Sequence, residues 1–276
     1  MGAACPRCGT GGADTGKGSL LLKAVYFSPN DTTRRVTEAA AAAMEPGGER
    51  VDLLKAPLTE DVSVGAEEML VVGMPVYAGR IPALCLSSLA HLKGHGGPAA
   101  AIAVYGNRDY DDALLELTDL LEAQGFRVVG AGAFIARHSI FPTVAADRPD
   151  EKDMAAIAAF GRECQARRGL FSDGHPGEIL VKGSRPYKKP GSASFRPAGD
   201  KSCTACGACA AICPTHSIDP ADPTVTSGDT CIACAACIRV CPAGSRAFRG
   251  AAYHAARKAF ELKCAPYRLP ETFYRA

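Results

Sequence analysis

Eight of the 13 cysteines fall between Cys203 and Cys241, in two runs of identical spacing. The first is Cys203, Cys206, Cys209 and Cys213, followed by Pro214; the second is Cys231, Cys234, Cys237 and Cys241, followed by Pro242. Three thiolates at this spacing let one tight loop hold three corners of an iron–sulfur cubane. The fourth is carried off along a short helix and meets the neighbouring cubane. The spacing therefore assigns Cys203, Cys206, Cys209 and Cys241 to one 4Fe–4S cluster, and Cys231, Cys234, Cys237 and Cys213 to a second. The chemistry expected is electron transfer.

Zinc and disulfides are the rival uses of cysteine. Structural zinc takes four ligands, typically as two separated pairs, and not a triple followed by Cys-Pro and then repeated. Disulfides belong to oxidising compartments. Met1 to Gly18 is glycine-rich without an apolar signal core, which points to a cytoplasmic protein. The residues between the thiols also suit a cluster. Thr204, Ala205, Gly207, Ala208, Ala233, Ala235 and Ala236 are small, so backbone N–H groups can approach sulfur. Ile212, Ile218, Val225, Ile232, Ile238 and Val240 supply an apolar shell, and the two prolines stop the helices beyond their ligands.

Upstream, strand-like and helix-like stretches alternate. Strand runs are expected at Leu20–Ser28, Glu49–Leu54, Met69–Tyr77, Ala99–Tyr105 and Phe126–Ala136. Helices are expected at Thr33–Met44, Pro82–Leu92, Asp111–Gln124 and Glu151–Arg167. Five strands alternating with helices imply a parallel sheet covered on both faces. Such sheets bind ligands beyond the carboxyl ends of their strands.

Three loops lie at those ends. Ser28-Pro-Asn30-Asp-Thr32-Thr33 is rich in hydroxyls and opens a helix, which suits a phosphate monoester; the alternative is that Asp31 or Thr32 caps the helix. Pro75-Val-Tyr77-Ala78-Gly79-Arg80 and Tyr105-Gly106-Asn107-Arg-Asp-Tyr110 each place an aromatic beside small or polar residues. Tyr77 and Tyr110 are candidates to sandwich a flat ring, with ordinary packing as the alternative. His138 lies just past the last strand, where a ring edge could sit or where a surface histidine would simply be satisfied.

Residues 20 to 169 resemble a flavodoxin domain, and residues 200 to 247 resemble a bacterial two-cluster ferredoxin. Together they resemble the fused flavodoxin–ferredoxin proteins (the EFR-type ferredoxins). The resemblance implies an α/β fold: a flavodoxin-like, doubly wound, parallel five-stranded sheet in the order 2-1-3-4-5, followed by a small α+β two-cluster ferredoxin domain. It also implies FMN at the switch point and redox proteins as partners. Ser28, Thr32 and Thr33 match the hydroxyl positions of the flavodoxin phosphate loop, while Asn30 and Asp31 replace its usual Thr-Gly. Tyr77 stands where a Trp is common and Tyr110 matches the outer tyrosine. Asp31 is the departure that matters, since a carboxylate repels a phosphate unless it turns away or Arg34 or Arg35 neutralises it.

The resulting division is an extension at 1–18, a flavodoxin-like FMN-binding domain at 19–170, a Gly-, Pro- and Lys-containing linker at 171–198, a ferredoxin domain at 199–248, and a helix and tail at 249–276. Lys182, Lys188 and Lys189 in the linker either meet an acidic redox partner or are simply solvated. From Leu170 onward there are 14 Lys+Arg against 8 Asp+Glu. Two clusters, each about −2 when oxidised, offset much of that excess, which argues against nucleic acid. No stretch approaches the roughly 18 apolar residues of a membrane span. Gly11–Ser19 lacks the Ser or Thr of a phosphate loop after Lys17, and Cys5 and Cys8 form a lone pair. No Gly-x-Gly-x-x-Gly follows a strand, so no nicotinamide site is expected. Cys85, Cys164 and Cys264 read as inert core thiols. The expectation is a flavo-iron-sulfur electron carrier; its rival is a ferredoxin whose flavodoxin-like domain has lost FMN and serves docking.

Overall fold

The computed structural model describes residues 22–169, 177–191 and 194–276. Gly11–Ser19 and the Cys5/Cys8 pair lie outside them. In chain order the elements are β1 (Leu22–Tyr26), α1 (Thr32–Met44), β2 (Glu49–Asp52), β3 (Val62–Ser63), β4 (Met69–Pro75), α2 (Cys85–Leu89), β5 (Leu92–Lys93), β6 (Pro98–Tyr105), α3 (Ala113–Ala123), β7 (Arg127–Ile135), α4 (Glu151–Arg167), α5 (Ala208–Ala211), α6 (Ala236–Arg239), α7 (Ala251–Lys263) and β8 (Glu271–Tyr274).

The main sheet runs β2-β1-β4-β6-β7-β8. Its first five strands are parallel and stand in the expected 2-1-3-4-5 order. The sixth is an addition: β8, from the stretch expected to be a tail, pairs antiparallel with β7. Every residue of β4 and β6 is buried, as helices on both faces require. Small residues let those helices sit close. A Cβ on Gly73 would lie 1.8 Å from Thr37 Oγ1, and one on Gly161 would lie 2.3 Å from the Ala40 carbonyl, so α1 packs tightly on β4 and on α4. Asp150 and Asp153 close a reciprocal capping box at the start of α4. Helix α2 is shorter than expected, and at its end Leu92 joins Lys93 in β5, paired with β3.

The stretch after α4 is not a free linker where it is described. Ser184 N and Lys188 N both donate to the Asp112 carboxylate (2.9 and 2.7 Å), and Arg185 and Tyr187 hold Asp119. Lys182 and Lys188, both exposed, pair with Asp109 and Asp111 at 3.2 and 2.9 Å.

The cysteine-rich region docks on the carboxyl ends of the parallel strands. Cys234 and Ala236 belong to the same apolar core as Val72, Tyr105 and Ile135, with Ile212 and Ile232 packed against it. Ala233, Ala235, Phe248 and Tyr253 bury themselves with Phe141 and Val144 from the segment after β7. Asn30 Nδ2 donates to the Cys234 carbonyl at 2.9 Å, and Arg239 Nε donates to the Pro29 carbonyl at 2.7 Å.

Candidate functional site

Each cysteine run folds the same way. Two residues of each have positive φ: Ala205 (52°) and Gly207 (74°) in the first, Ala233 (52°) and Ala235 (63°) in the second. Left-handed residues alternating with right-handed ones turn successive N–H groups inward, the concavity that binds anions and iron–sulfur clusters. Short helices α5 and α6 then carry Cys213 and Cys241 away.

Cys203, Cys206, Cys209 and Cys241 surround one space, together with Pro223, Ser245 and Arg246. Cys231, Cys237 and Cys213 crowd Cys234, whose thiol is pushed up to about 12 chiefly by burial and further by those three neighbours. The crossed grouping read from the spacing is thus the spatial one. N–H groups point at the sulfurs, from Ala233 to Cys231 (3.4 Å) and from Ser217 to Cys213 (3.3 Å). Burial pushes Cys241 up, but the N–H groups of Arg246, Ser245 and Ala243 together hold it below its ordinary value. Among the described residues no three His, Cys, Asp or Glu side chains are arranged to hold a single metal ion.

A cavity of about 580 Å³ opens between the strand ends and the second run. Asn30, Thr32, Thr33, Pro75, Tyr77, Ala78, Gly79 and Gly106 all line it, as does the stretch Cys231-Ile232-Ala233. Three expected site residues do not. Ser28 is buried, and its hydroxyl accepts from Arg34 N at 2.9 Å, capping α1. Asn107 is buried with Nδ2 donating to the carbonyls of Cys264 and Pro266 (2.7 and 3.0 Å), so it anchors the segment after α7.

Tyr110 is 0% exposed; its hydroxyl donates to Glu271 at 2.8 Å and its ring packs edge-on to Tyr105. The Asp109 carboxylate takes the N–H groups of both Tyr110 and Asp111, folding the loop so that Tyr110 turns into the core. A Tyr77–Tyr110 sandwich is therefore not formed. Tyr77 is joined at the cavity by Tyr105, Phe141, Phe195 and Phe260.

A second cavity of about 460 Å³ shares Asn30, Thr32, Arg137, His138 and Ser139 with the first. It is also lined by Arg35, Arg148 and Arg239. Asp31 lines it too, but its carboxylate makes no cap bond; Arg34 holds it at 2.6 and 2.8 Å and keeps it below the usual carboxylate range. The repulsive departure is thus neutralised locally, and α1 presents its N-terminus to a basic chamber.

His138 is half-buried, with its ring against Phe141 and Phe260. Its Nδ1 accepts N–H bonds from Ile140 and Phe141 at 3.1 Å, which leaves the proton of the neutral ring on Nε2. Burial brings its pKa down to about 4, with Arg108 adding to the effect. The ring is a neutral donor bordering both cavities. Cys85 and Cys164 are buried thiols raised by burial, and Cys264 likewise, as inert core cysteines should be.

Residues 202–245 match the 4Fe-4S dicluster domain. No curated protein sequence matches the chain. Among solved structures, a flavodoxin from the domain Archaea aligns at 15% identity over 52% of this chain and 96% of its own, with a TM-score of 0.36. An apo NADH:FMN oxidoreductase (EMOB) aligns at 23% identity over 57% and 92%, with a TM-score of 0.41. Megasphaera elsdenii flavodoxin aligns at 13% identity over 53% and 99%, with a TM-score of 0.36. The cysteine-rich region is a two-cluster 4Fe–4S domain attached to an α/β domain with the flavodoxin strand order. Among the described residues no helix is long and apolar enough to cross a membrane.

Proposed function

We propose that the chain is a flavo-iron-sulfur electron carrier, with FMN in the larger cavity, the second cysteine set next to it, and the first set facing an external redox protein. One observation carries this reading: the loop Cys231-Ile232-Ala233 walls the same cavity as the strand-end residues Pro75, Tyr77 and Gly106. Bound there, FMN would supply one- or two-electron chemistry beside clusters that handle one electron at a time.

The chain's own residues then have distinct tasks. Tyr77 and the backbone of Ala78 and Gly79 form one wall; a Cβ on Gly106 would lie 2.5 Å from His138, so that wall needs glycine. His138 offers an N–H while staying uncharged at neutral pH. Thr32 and the start of α1, with Arg35, Arg137 and Arg239 alongside, suit a phosphate dianion. Arg239 comes from the cluster domain, so the anion chamber is completed only when that domain is docked. Cys206 is exposed, in contrast to the buried Cys234, which supports electron exchange with outside proteins through the first set.

The test is purification without oxygen, followed by iron, sulfide and acid-released flavin per chain. About eight irons with one FMN is the expected result. About eight irons without flavin, even after FMN is added back, would leave a ferredoxin carrying a docking domain.

A further inference from the structure

Arg246 heads the fully buried side chains by volume, at 2% exposure. Its Nη1 donates to the Pro223 carbonyl and lies 4.0 Å from Cys209 Sγ; its Nη2 donates to the Pro197 carbonyl at 2.8 Å and to Thr226 Oγ1. Its Nε is buried with no partner. Among the described residues these partners are carbonyls, a hydroxyl and a thiol, and none is a carboxylate. A guanidinium cannot shed its proton, and a buried cation without a counter-charge is costly. The fold therefore holds a fixed positive charge for which the described residues provide no carboxylate partner.

The position of that charge says what it is for. Arg246 borders the space ringed by Cys203, Cys206, Cys209 and Cys241. Cys209 and Cys237, one from each set, lie in a single small apolar cluster, so the two sites meet where the guanidinium is buried.

We propose that Arg246 is the shared counter-cation of both 4Fe–4S clusters and holds the reduction potential of each one up. The proposal rests on the two-cluster reading and is independent of the flavin. One-electron reduction adds a negative charge to a cluster already carrying about −2, and a fixed cation in a medium of low dielectric constant favours that added charge. The electron comes from an external one-electron donor, and no proton or bond changes hands at the arginine. Hydrogen bonds to three oxygens keep the guanidinium in place in both oxidation states.

The experiment compares the full chain with Arg246→Gln and Arg246→Lys, each assembled without oxygen and titrated with dithionite while EPR follows each cluster. The parent must hold about eight irons, and a different count would remove the two-cluster reading itself. Arg246→Gln is expected to keep its iron while both midpoints fall by at least tenfold in the reduction equilibrium, about 59 mV for one electron. Arg246→Lys, which keeps the charge but loses the fork, is expected to stay near the parent. A fully loaded Gln variant with unchanged midpoints, or with only one shifted, overturns the proposal. If the Gln variant loses iron, the Lys variant decides: midpoints near the parent support a charge effect, and a tenfold fall in both despite full loading overturns it.

Discussion

The two cysteine runs share one spacing and one backbone shape, yet they live in different surroundings. In the first, Cys206 is exposed and Gly207 takes the second left-handed position with nothing within 4 Å of where a Cβ would stand. In the second, Cys234 is 8% exposed, and Ala235 holds the matching left-handed position with its methyl group buried among Phe141, Phe248 and Tyr253. A non-glycine residue there costs on the order of 1 kcal/mol of backbone strain. The second run tolerates that strain because its methyl group is interface, whereas the first has nothing to pack against. The motif thus fixes the ligand geometry, and the neighbouring domain decides which cluster faces inward.

The largest expected effect comes from removing one ligand from each run. Cys234→Ala should cut the iron content from about eight toward about four and also loosen flavin, because its loop is a cavity wall. Cys206→Ala should lose similar iron and leave flavin affinity unchanged. Iron assays with flavin fluorescence titration separate the two, and equal flavin loss in both variants would erase the inside–outside contrast.

Acid should act on the covered side first. His138 lies on that face, and its folded pKa of about 4 is below the ordinary value of 6.5. The unfolded chain therefore binds the proton more readily, so stability is complete above about pH 6.5 and falls as pH drops toward 4. The loss is up to about 3 kcal/mol, and His138→Gln should flatten that slope in denaturant melts.

A smaller effect is expected from Arg239→Met, which removes a cation and the bond to the Pro29 carbonyl. FMN binding should weaken about tenfold, roughly 1.4 kcal/mol, while riboflavin, which lacks the phosphate, binds as before. Calorimetry with both ligands checks this, and equal weakening of both would assign Arg239 to docking alone. The finest comparison is Gly207→Ala against Ala235→Gly. The first should cost about 1 kcal/mol of strain. The second should come out near zero, as relieved strain offsets a lost methyl contact of similar size. Denaturant unfolding of the loaded protein measures both.

Legibility in the sequence followed the range of the forces involved. The cysteine runs were fully legible, because ligand spacing is a local covalent fact. The five parallel strands and α4 were legible from apolar runs and helical stretches that are local in the chain. Tyr110 was misread because its direction depends on the Asp109 turn and on Glu271, which is 161 residues away. Strand β8 was missed because four residues, Glu271–Tyr274, carry too little periodicity to announce pairing with β7. Arg137, Arg239 and Arg246 were present as isolated cations, and only docking shows which chamber each one enters. His138 stood open between a ring edge and the surface because nothing local revealed that Phe260 would pack on its ring.

Strand β8 has a mechanical consequence. Arg275 donates to the carbonyls of Val128 and Gly177 and pairs with Glu122, while Ala276 N donates to Glu178 at 3.2 Å. The segment at 177–188 is meanwhile strapped to Asp112 and Asp119 of the α/β domain. The cluster module is thus tied to its host on both flanks, in the manner of an inserted domain and unlike a bead on a string. Its effective concentration at the cavity is set by two short tethers and not by diffusion. In the proposed relay, electron exchange within the chain should therefore be first order, insensitive to dilution, and nearly indifferent to the salt that governs encounters between separate carriers.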